Sequence, residues 1–360
     1  MAVPTKAAKF VASAQSFAGF RSTQVTSALV AGRPYIGTHN GTFHCDEALA
    51  VSLLKLLPQF AAHDVLRTRD TAALAECEVV VDVGGTYEPE KNRFDHHQRG
   101  FDEVFDDKRT TKLSSAGLVY KHFGREILKV LAAPTALDDA TLDQLHQKTY
   151  KNFIEHIDGI DNGVQVFSGE GSLNYQVSTT LSSRVGYLNP GWNEDQSADA
   201  TNTQFQQAMY LTVTEFTDSV LELVHSWLPA RDLVEQAVSK RFETHKSGEI
   251  VYFPDYCPWK SHLHDIEAKL LIPGQIKFVL YKDTTGNMTR VQGINVESGS
   301  FALRQGLLAE WRGLRDDELS TVSGIAGCTF VHTAGFIGGN RTFEGALEMA
   351  VRSLSKEESQ

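Results

Sequence analysis

Between Pro34 and Val83 short apolar runs alternate with helix-like stretches, and no other feature of the chain restricts its fold as strongly. Pro34-Tyr35-Ile36-Gly37 reads as a strand, and from Asp46 the positions Ala48, Leu49, Val51, Leu53, Leu54 and Leu57 have the apolar density of a buried helix ended by Pro58. Residues 64–68 read as a second strand, 71–76 as a helical turn and 78–83 as a third strand. This order predicts an α/β unit, a parallel sheet with helices on both faces, in which reactive side chains collect at the carboxyl ends of the strands. His39, His44 and Asp82 fall at those ends.

The stretch Phe94-Asp95-His96-His97-Gln98-Arg99-Gly100 supplies the rest of such a site. Adjacent histidines on a loop are often only surface residues, so company decides. Thr38 to Glu47 holds two histidines and two carboxylates, and the apolar run at 79–81 leads into Asp82. Imidazole beside carboxylate suits Mn²⁺, Mg²⁺ or Zn²⁺, and a guanidinium such as Arg99 forks onto phosphate oxygens. Three separated segments, each delivering His or Asp after an apolar run, predict one metal site.

At 360 residues the chain has room for two domains, and its 45 acids against 34 bases exclude broad electrostatic adhesion to duplex nucleic acid. Any nucleic acid would be held locally. Cys45, Cys77, Cys257 and Cys328 form no CxxC pair, so neither a disulfide framework nor a zinc knuckle is expected. No apolar run reaches the roughly 18 to 20 residues that span a bilayer. The first 45 residues lack Asp and Glu but carry Lys6, Lys9, Arg21 and Arg33, the profile either of an organelle presequence or of a disordered tail.

Further on, residues 114–123 and 141–157 read as helices, the first capped by Ser-Ser, the second running into Asp158-Gly159-Ile160-Asp161-Asn162-Gly163. Polar residues 178–195, including Arg184, mark the expected domain boundary. Helical periodicity over 203–246 is broken by Pro229, and the runs at 276–281 and 290–296 predict a β-hairpin in a smaller α+β domain. Near the end, strand, glycine-rich loop and helix follow in the order Phe330-Val331-His332, Gly335-Phe336-Ile337-Gly338-Gly339-Asn340-Arg341, Thr342-Phe343; amides of such a loop would hold an anion. The expected domains are a leader over 1–33, a metal-binding α/β domain over 34–195 and a substrate-binding α+β domain over 196–360.

A two-metal hydrolase needs cations about 3.5 to 4 Å apart, carboxylates to fix them and positive groups for the scissile phosphate. His39, His44 and Asp46 would serve from the first loop, Asp82 from the second, Asp95 with His96 or His97 from the third, and Asp158 or Asp161 from the fourth. Arg99, Arg341 or His332 would neutralise phosphate oxygens, with Arg184 within reach of one and the amides of Gly338 and Gly339 near the substrate end. Cys45 lacks the surroundings of a nucleophile, and HExxH, Walker A and strand-linked GxGxxG motifs are absent.

Asp95-His96-His97, with the loop from His39 to Asp46 and Asp82 at a strand end, resembles the DHH phosphoesterase superfamily. The strings GTHNGTFHCDEALA, VVDVGGTYEPEKNRFDHHQRGF, IDGIDNGV, LNPGWN, WRGLRDDELS and FVHTAGFIGGNRTFEGAL are similar to its melanocyte-proliferating-gene family, over about residues 34–353. That resemblance implies a Mn²⁺- or Mg²⁺-dependent exonuclease that degrades single-stranded RNA from its 3′ end, in mitochondria and the nucleus or nucleolus. The first motif departs from the superfamily's HxxxDxD, and GFIGGN replaces a glycine-glycine-glycine-histidine loop. A pyrophosphatase-like anhydride hydrolase and a non-catalytic metal- or RNA-binding adaptor are the alternatives.

Overall fold

The three amino-terminal runs become neighbouring strands of one sheet. The computed structural model describes residues 20, 22–167, 175–283, 285–297 and 299–355. Strands β1 (Val25–Thr26), β2 (Tyr35–Thr38), β3 (Asp64–Arg67), β4 (Val79–Val81), β5 (Tyr87–Glu88) and β6 (Arg93–Phe94) lie in the order β1-β3-β2-β4-β6-β5. All neighbours run parallel except the edge pair β5 and β6. Since β2, β4 and β6 are adjacent, His39, Asp82 and Asp95-His96 leave the sheet side by side at one edge.

Strand alternation sends Tyr35, Leu66 and Val80 to one face, where they pack with Leu74 of helix α2 (Thr71–Ala75) and Cys77. Ile36, Val65, Val79 and Val81 point to the other face and are fully buried. Helix α1 (Cys45–Lys55) touches β4, and α3 (Ser115–Ala132) touches β6. All eleven residues of α1 are buried, as expected of a helix enclosed on every side. It also meets α7 (Ala198–Glu222): the Ser52 hydroxyl bonds to Met209 O at 3.1 Å, and Phe43 meets Phe205 edge to face.

These contacts move the expected domain boundary. The chain divides between Val224 and His225, not at 195, because α7 completes the core around α1. The expected leader over 1–33 also ends too late. Its residues 1–19 and 21 lie outside the described part, but β1 pairs with β3 through Val25↔Val65 and belongs to the sheet.

The helix read over 114–123 continues to Ala132. The helix read over 141–157 divides into α4 (Asp139–Thr149), a π-helical turn at Tyr150–Ile154 and α5 (Glu155–Asp161). A wider turn rephases the side chains that follow it. Helix α6 (Leu181–Gly186), capped by Thr180, precedes a loop that returns to α7.

The second unit is built on a sheet of order β10-β11-β9-β8-β7, from β7 (Ile250–Phe253), β8 (Phe278–Asp283), β9 (Met288–Gly293), β10 (Cys328–Val331) and β11 (Ile337–Asn340). Strands β8 and β9 are the expected hairpin, and only β7 and β8 run parallel. Val251, Phe253 and Val279 pack with α8 (Leu228–Ser239) and α9 (Lys260–Lys269) on one face. Ile250, Phe278, Leu280 and Val291 pack with α10 (Asp316–Ser323) and α11 (Phe343–Leu354) on the other. The four cysteines are free and buried, and among the described residues no helix is long and apolar enough to cross a membrane.

Candidate metal centre

The edge where β2, β4 and β6 end carries a knot of acids and imidazoles. Asp82 stands at its middle, in the left-handed region at φ 58°, an unfavourable backbone for a residue other than glycine, while its amide still donates to Phe94 O. Its Oδ1 accepts from Ser115 Oγ at 3.0 Å and lies 3.1 Å from His96 Nε2, and its Oδ2 lies 3.4 Å from His39 Nε2. His39 Nε2 is also 3.1 Å from Glu47, and His96 Nε2 is 3.3 Å from Asp161 and 3.8 Å from Asp46.

Burial and charge act together here. Burial works against the His39 imidazolium, yet the hydrogen bonds it donates to Asp82 and Glu47 outweigh it and push the ring up to about 10. Burial likewise opposes charge on Asp82, but bonds to His39 and His96 hold this carboxyl well below the usual carboxylate range. His96 is raised, with burial opposing and Asp82 prevailing. Burial drives Asp46 well above its ordinary value, reinforced by the charges of Asp82, Asp161 and Glu47, and Asp161 is raised first by burial.

Both oxygens of Asp46 are buried without a hydrogen-bond donor, and so is His96 Nδ1. A buried carboxylate without a donor costs folding free energy unless a cation completes it. The donor set meets that test. Ligand atoms of His39, His44 and Glu47 lie within 4.8 Å of one another, as do those of Asp46, Glu47 and Asp82, of Asp46, His96 and Asp161, and of Asp82, His96 and His97. Asp46, Glu47, Asp82 and His96 each belong to two of these groups, and a carboxylate among them can be shared as two neighbouring cations require.

Of the expected ligands, His39, His44, Asp46, Asp82, His96 and Asp161 therefore meet, and Asp158 does not. Its Oδ1 accepts from the amide and hydroxyl of Ser114 at 3.0 and 2.7 Å, and its Oδ2 from Tyr150 at 2.8 Å. The rephasing at 150–154 leaves Asp158 inside the core and Asp161 at the cleft. Ser114, expected as a plain helix cap, gives its hydroxyl to Asp158.

Asp95 is also spent locally. Its Oδ2 accepts from Gly85 N at 2.6 Å and its Oδ1 from His97 N and Nδ1 at 3.1 and 2.8 Å. Asp95 thus orients His97, whose ring is 62 % exposed and lines the cleft. Cys45 is buried, and burial pushes its thiol up to about 12, far from a nucleophile's range.

Glu47 was missed as a site residue because its place in the first turn of α1 reads as capping, a role it also fills by accepting from His44 N at 2.8 Å. Arg67, buried at the end of β3, holds the intervening loop: it donates to Gly41 O at 2.7 Å and lies 4.6 Å over the Phe205 ring.

The substrate-side expectations fare less well. The cleft in front of the acids holds about 650 Å³ and is lined by Lys112, Ile160, Asn162 and Gly186 as well as by the ligands; an adjoining cleft of about 850 Å³ beside His39 carries Arg69. Neither cation stood out in the sequence, since both lie outside the motifs. Arg99 lines a neighbouring groove instead, with Tyr87 and Glu88. Arg184 pairs with Glu215 at 3.1 Å.

Gly338 and Gly339 form no anion loop: they sit inside β11 between β9 and β10, where a Cβ would come within 2.9 Å of Phe330 O or 2.8 Å of Thr329 Oγ1. His332 accepts from Ala334 N at 3.1 Å and packs on Phe336. Arg341 is exposed, and the amino end of α11 is capped by Thr342.

Residues 35–354 match the MYG1 exonuclease family model, described as "Uncharacterised protein family (UPF0160)". The chain is 48% identical over 321 residues to the MYG1 protein of Dictyostelium discoideum, covering 89% of this chain and 96% of that one. It is 50% identical over 329 residues to the MYG1 exonuclease of Mus musculus and 49% over 330 to that of Homo sapiens, in each case over 90% of this chain and 85% or 86% of the relative. Among solved structures, manganese-bound exonuclease RecJ aligns over the whole chain at 14% identity and a TM-score of 0.23, too low to argue from. With nearly all of the described sequence inside the family model and half of its residues shared with curated relatives, the chain belongs to the MYG1 family.

Proposed function

We propose that this protein is a metal-dependent nuclease, a 3′–5′ exoribonuclease acting on single-stranded RNA with Mn²⁺ or Mg²⁺. The observation that carries the reading is the convergence of His39, Asp46, Glu47, Asp82, His96 and Asp161 from four chain segments, with both Asp46 oxygens buried and without a hydrogen-bond donor. The relatives called MYG1 exonuclease support the nuclease class, and DHH membership, RNA and the 3′ end are what the resemblance of the sequence motifs implies.

Divalent ions bound by these residues would supply a Lewis acid that activates water and neutralises phosphoryl oxygens. The remaining work falls to the chain. Lys112 brings a cation to the cleft for the phosphodiester. His97, held through Nδ1 by Asp95, is the exposed imidazole that can return a proton to the departing 3′ oxygen as water's oxygen bonds to phosphorus and the P–O3′ bond breaks. The mixed nitrogen and oxygen donors favour Mn²⁺ over Mg²⁺. A mitochondrial or nuclear location belongs to the same reading and is checked by imaging the tagged full chain.

A 5′-labelled single-stranded oligoribonucleotide in Mn²⁺ tests this. Stepwise shortening from the 3′ end, abolished by chelation, is expected. Phosphate release from pyrophosphate with intact RNA would indicate the anhydride hydrolase, and RNA binding without product the adaptor.

A further inference from the structure

The loop after α6 spends hydrogen bonds on holding a fixed shape and then leaves its aromatic residues in water. Asn189 clasps the backbone of Phe43, a residue of the metal cleft: its Oδ1 accepts from Phe43 N at 2.9 Å and its Nδ2 donates to Phe43 O at 2.8 Å. Beyond it, Gly191 N donates to Glu194 Oε2 at 2.7 Å and Gln196 Nε2 donates to Gly191 O at 2.5 Å. Asp195 accepts from the amide and hydroxyl of Ser197 at 2.8 and 3.0 Å. The loop's two acids are thus engaged within the loop.

Its aromatics are not. Tyr187, next to the cleft residue Gly186, is 78% exposed and Trp192 is 93% exposed, whereas Trp227, Trp259 and Trp311 are at most 7% exposed. One exposed ring is ordinary, but two within six residues, on a loop pinned to the rim of the site, leave two aromatic faces open to a ligand. Ions at the centre and Lys112 would hold the reacting phosphate alone, so the strand beyond it needs a grip that does not depend on charge. A flat π-face provides it, since every unpaired base has one and a duplex keeps its bases stacked inside.

We propose that Trp192 and Tyr187 stack against unpaired bases of the substrate strand upstream of its reacting end. This rests on the nuclease reading and adds to it the feature that selects single strands.

The test is the affinity of the full-length protein for fluorescein-labelled octauridylate in EDTA, where no turnover occurs, followed by anisotropy and by tryptophan emission. Trp192→Ala is expected to weaken binding at least about tenfold and Trp192→Phe to restore it, in line with the usual contribution of one base stack. Emission of the wild type should be quenched on saturation, and that of Trp192→Phe should not. Affinity unchanged in Trp192→Ala, with no quenching, would overturn the proposal. So would loss of self-association in Trp192→Ala, by sedimentation velocity, with oligonucleotide affinity intact, which would make the loop a protein-docking surface. Cleavage in Mn²⁺ is read separately: strand binding through Trp192 without any cleavage would remove the nuclease reading and leave the platform, and cleavage without a Trp192 effect would do the reverse.

Discussion

Ser115 donates its hydroxyl to Asp82 at 3.0 Å, so helix α3 begins on the carboxylate that two imidazoles share. Asp82 occupies an unfavourable left-handed backbone at the end of β4, and this bond is one of the contacts that fix its side chain. Ser115→Ala is expected to lower Mn²⁺ affinity by about tenfold, the usual effect of losing an outer partner of a metal ligand. Calorimetric titration with Mn²⁺ measures it, beside a thermal melt showing the fold retained. Unchanged affinity would mean that Ser115 only caps the helix.

Asp158 serves the core, and its pH signature is distinct. Burial, opposed by the bonds from Ser114, lifts its carboxyl to about 7 from an ordinary 3.8. The folded state therefore keeps a proton that the unfolded chain has released, so this group's stabilising contribution is full below about pH 4 and disappears as pH rises through 7. Asp158→Asn removes the titration while retaining an acceptor for Ser114. Its melting temperature relative to wild type should be higher at pH 8 than at pH 5; an equal difference at both would refute the assignment.

Gly117 reports on the same carboxyl. A Cβ there would come within 2.4 to 2.7 Å of the Asp158 side chain, whose oxygens are already engaged. Gly117→Ala should cost about 1 to 3 kcal/mol by overpacking, measured by urea denaturation. A neutral result would show that Asp158 can swing away.

The sheet was legible because Tyr35-Ile36-Gly37 and Val79-Val80-Val81 are short, apolar and separated by helical stretches. The cluster of acids and imidazoles at its edge was legible because His39, Asp82 and His96 follow strands directly. What stayed hidden depended on phase and partnership. Asp158 and Asp161 are three residues apart on one helix, and tertiary partners, Ser114 and Tyr150 on Asp158 and His96 on Asp161, separate the core acid from the cleft acid. The strand β11 imitates a phosphate loop because glycine serves close packing against Phe330 and Thr329 as well as it serves a turn. Lys112 and Arg69 carry no motif. The domain boundary was misplaced because the polar stretch before Asp195 looks like a linker, while the burial of Phe205 and Met209 that ties α7 to the first unit is tertiary.

Asp46 and Asp95 separate binding from orientation. Asp46→Asn should lose one bound Mn²⁺, since neither of its oxygens accepts from a hydrogen-bond donor, whereas Asp95→Asn should keep the metal count and lower turnover by about 10² to 10⁴ through a misaligned His97. Manganese counted by mass spectrometry after gel filtration, beside the RNA cleavage rate, distinguishes them. Equal metal loss in both variants would contradict these roles.

Anomalous scattering from crystals soaked in Mn²⁺ tests the convergence itself. Manganese peaks are expected among His39, Asp46, Asp82, His96 and Asp161. Crystals that bind manganese at Asp95 or Asp158, or that show no peak at the ends of β2, β4 and β6, would contradict it.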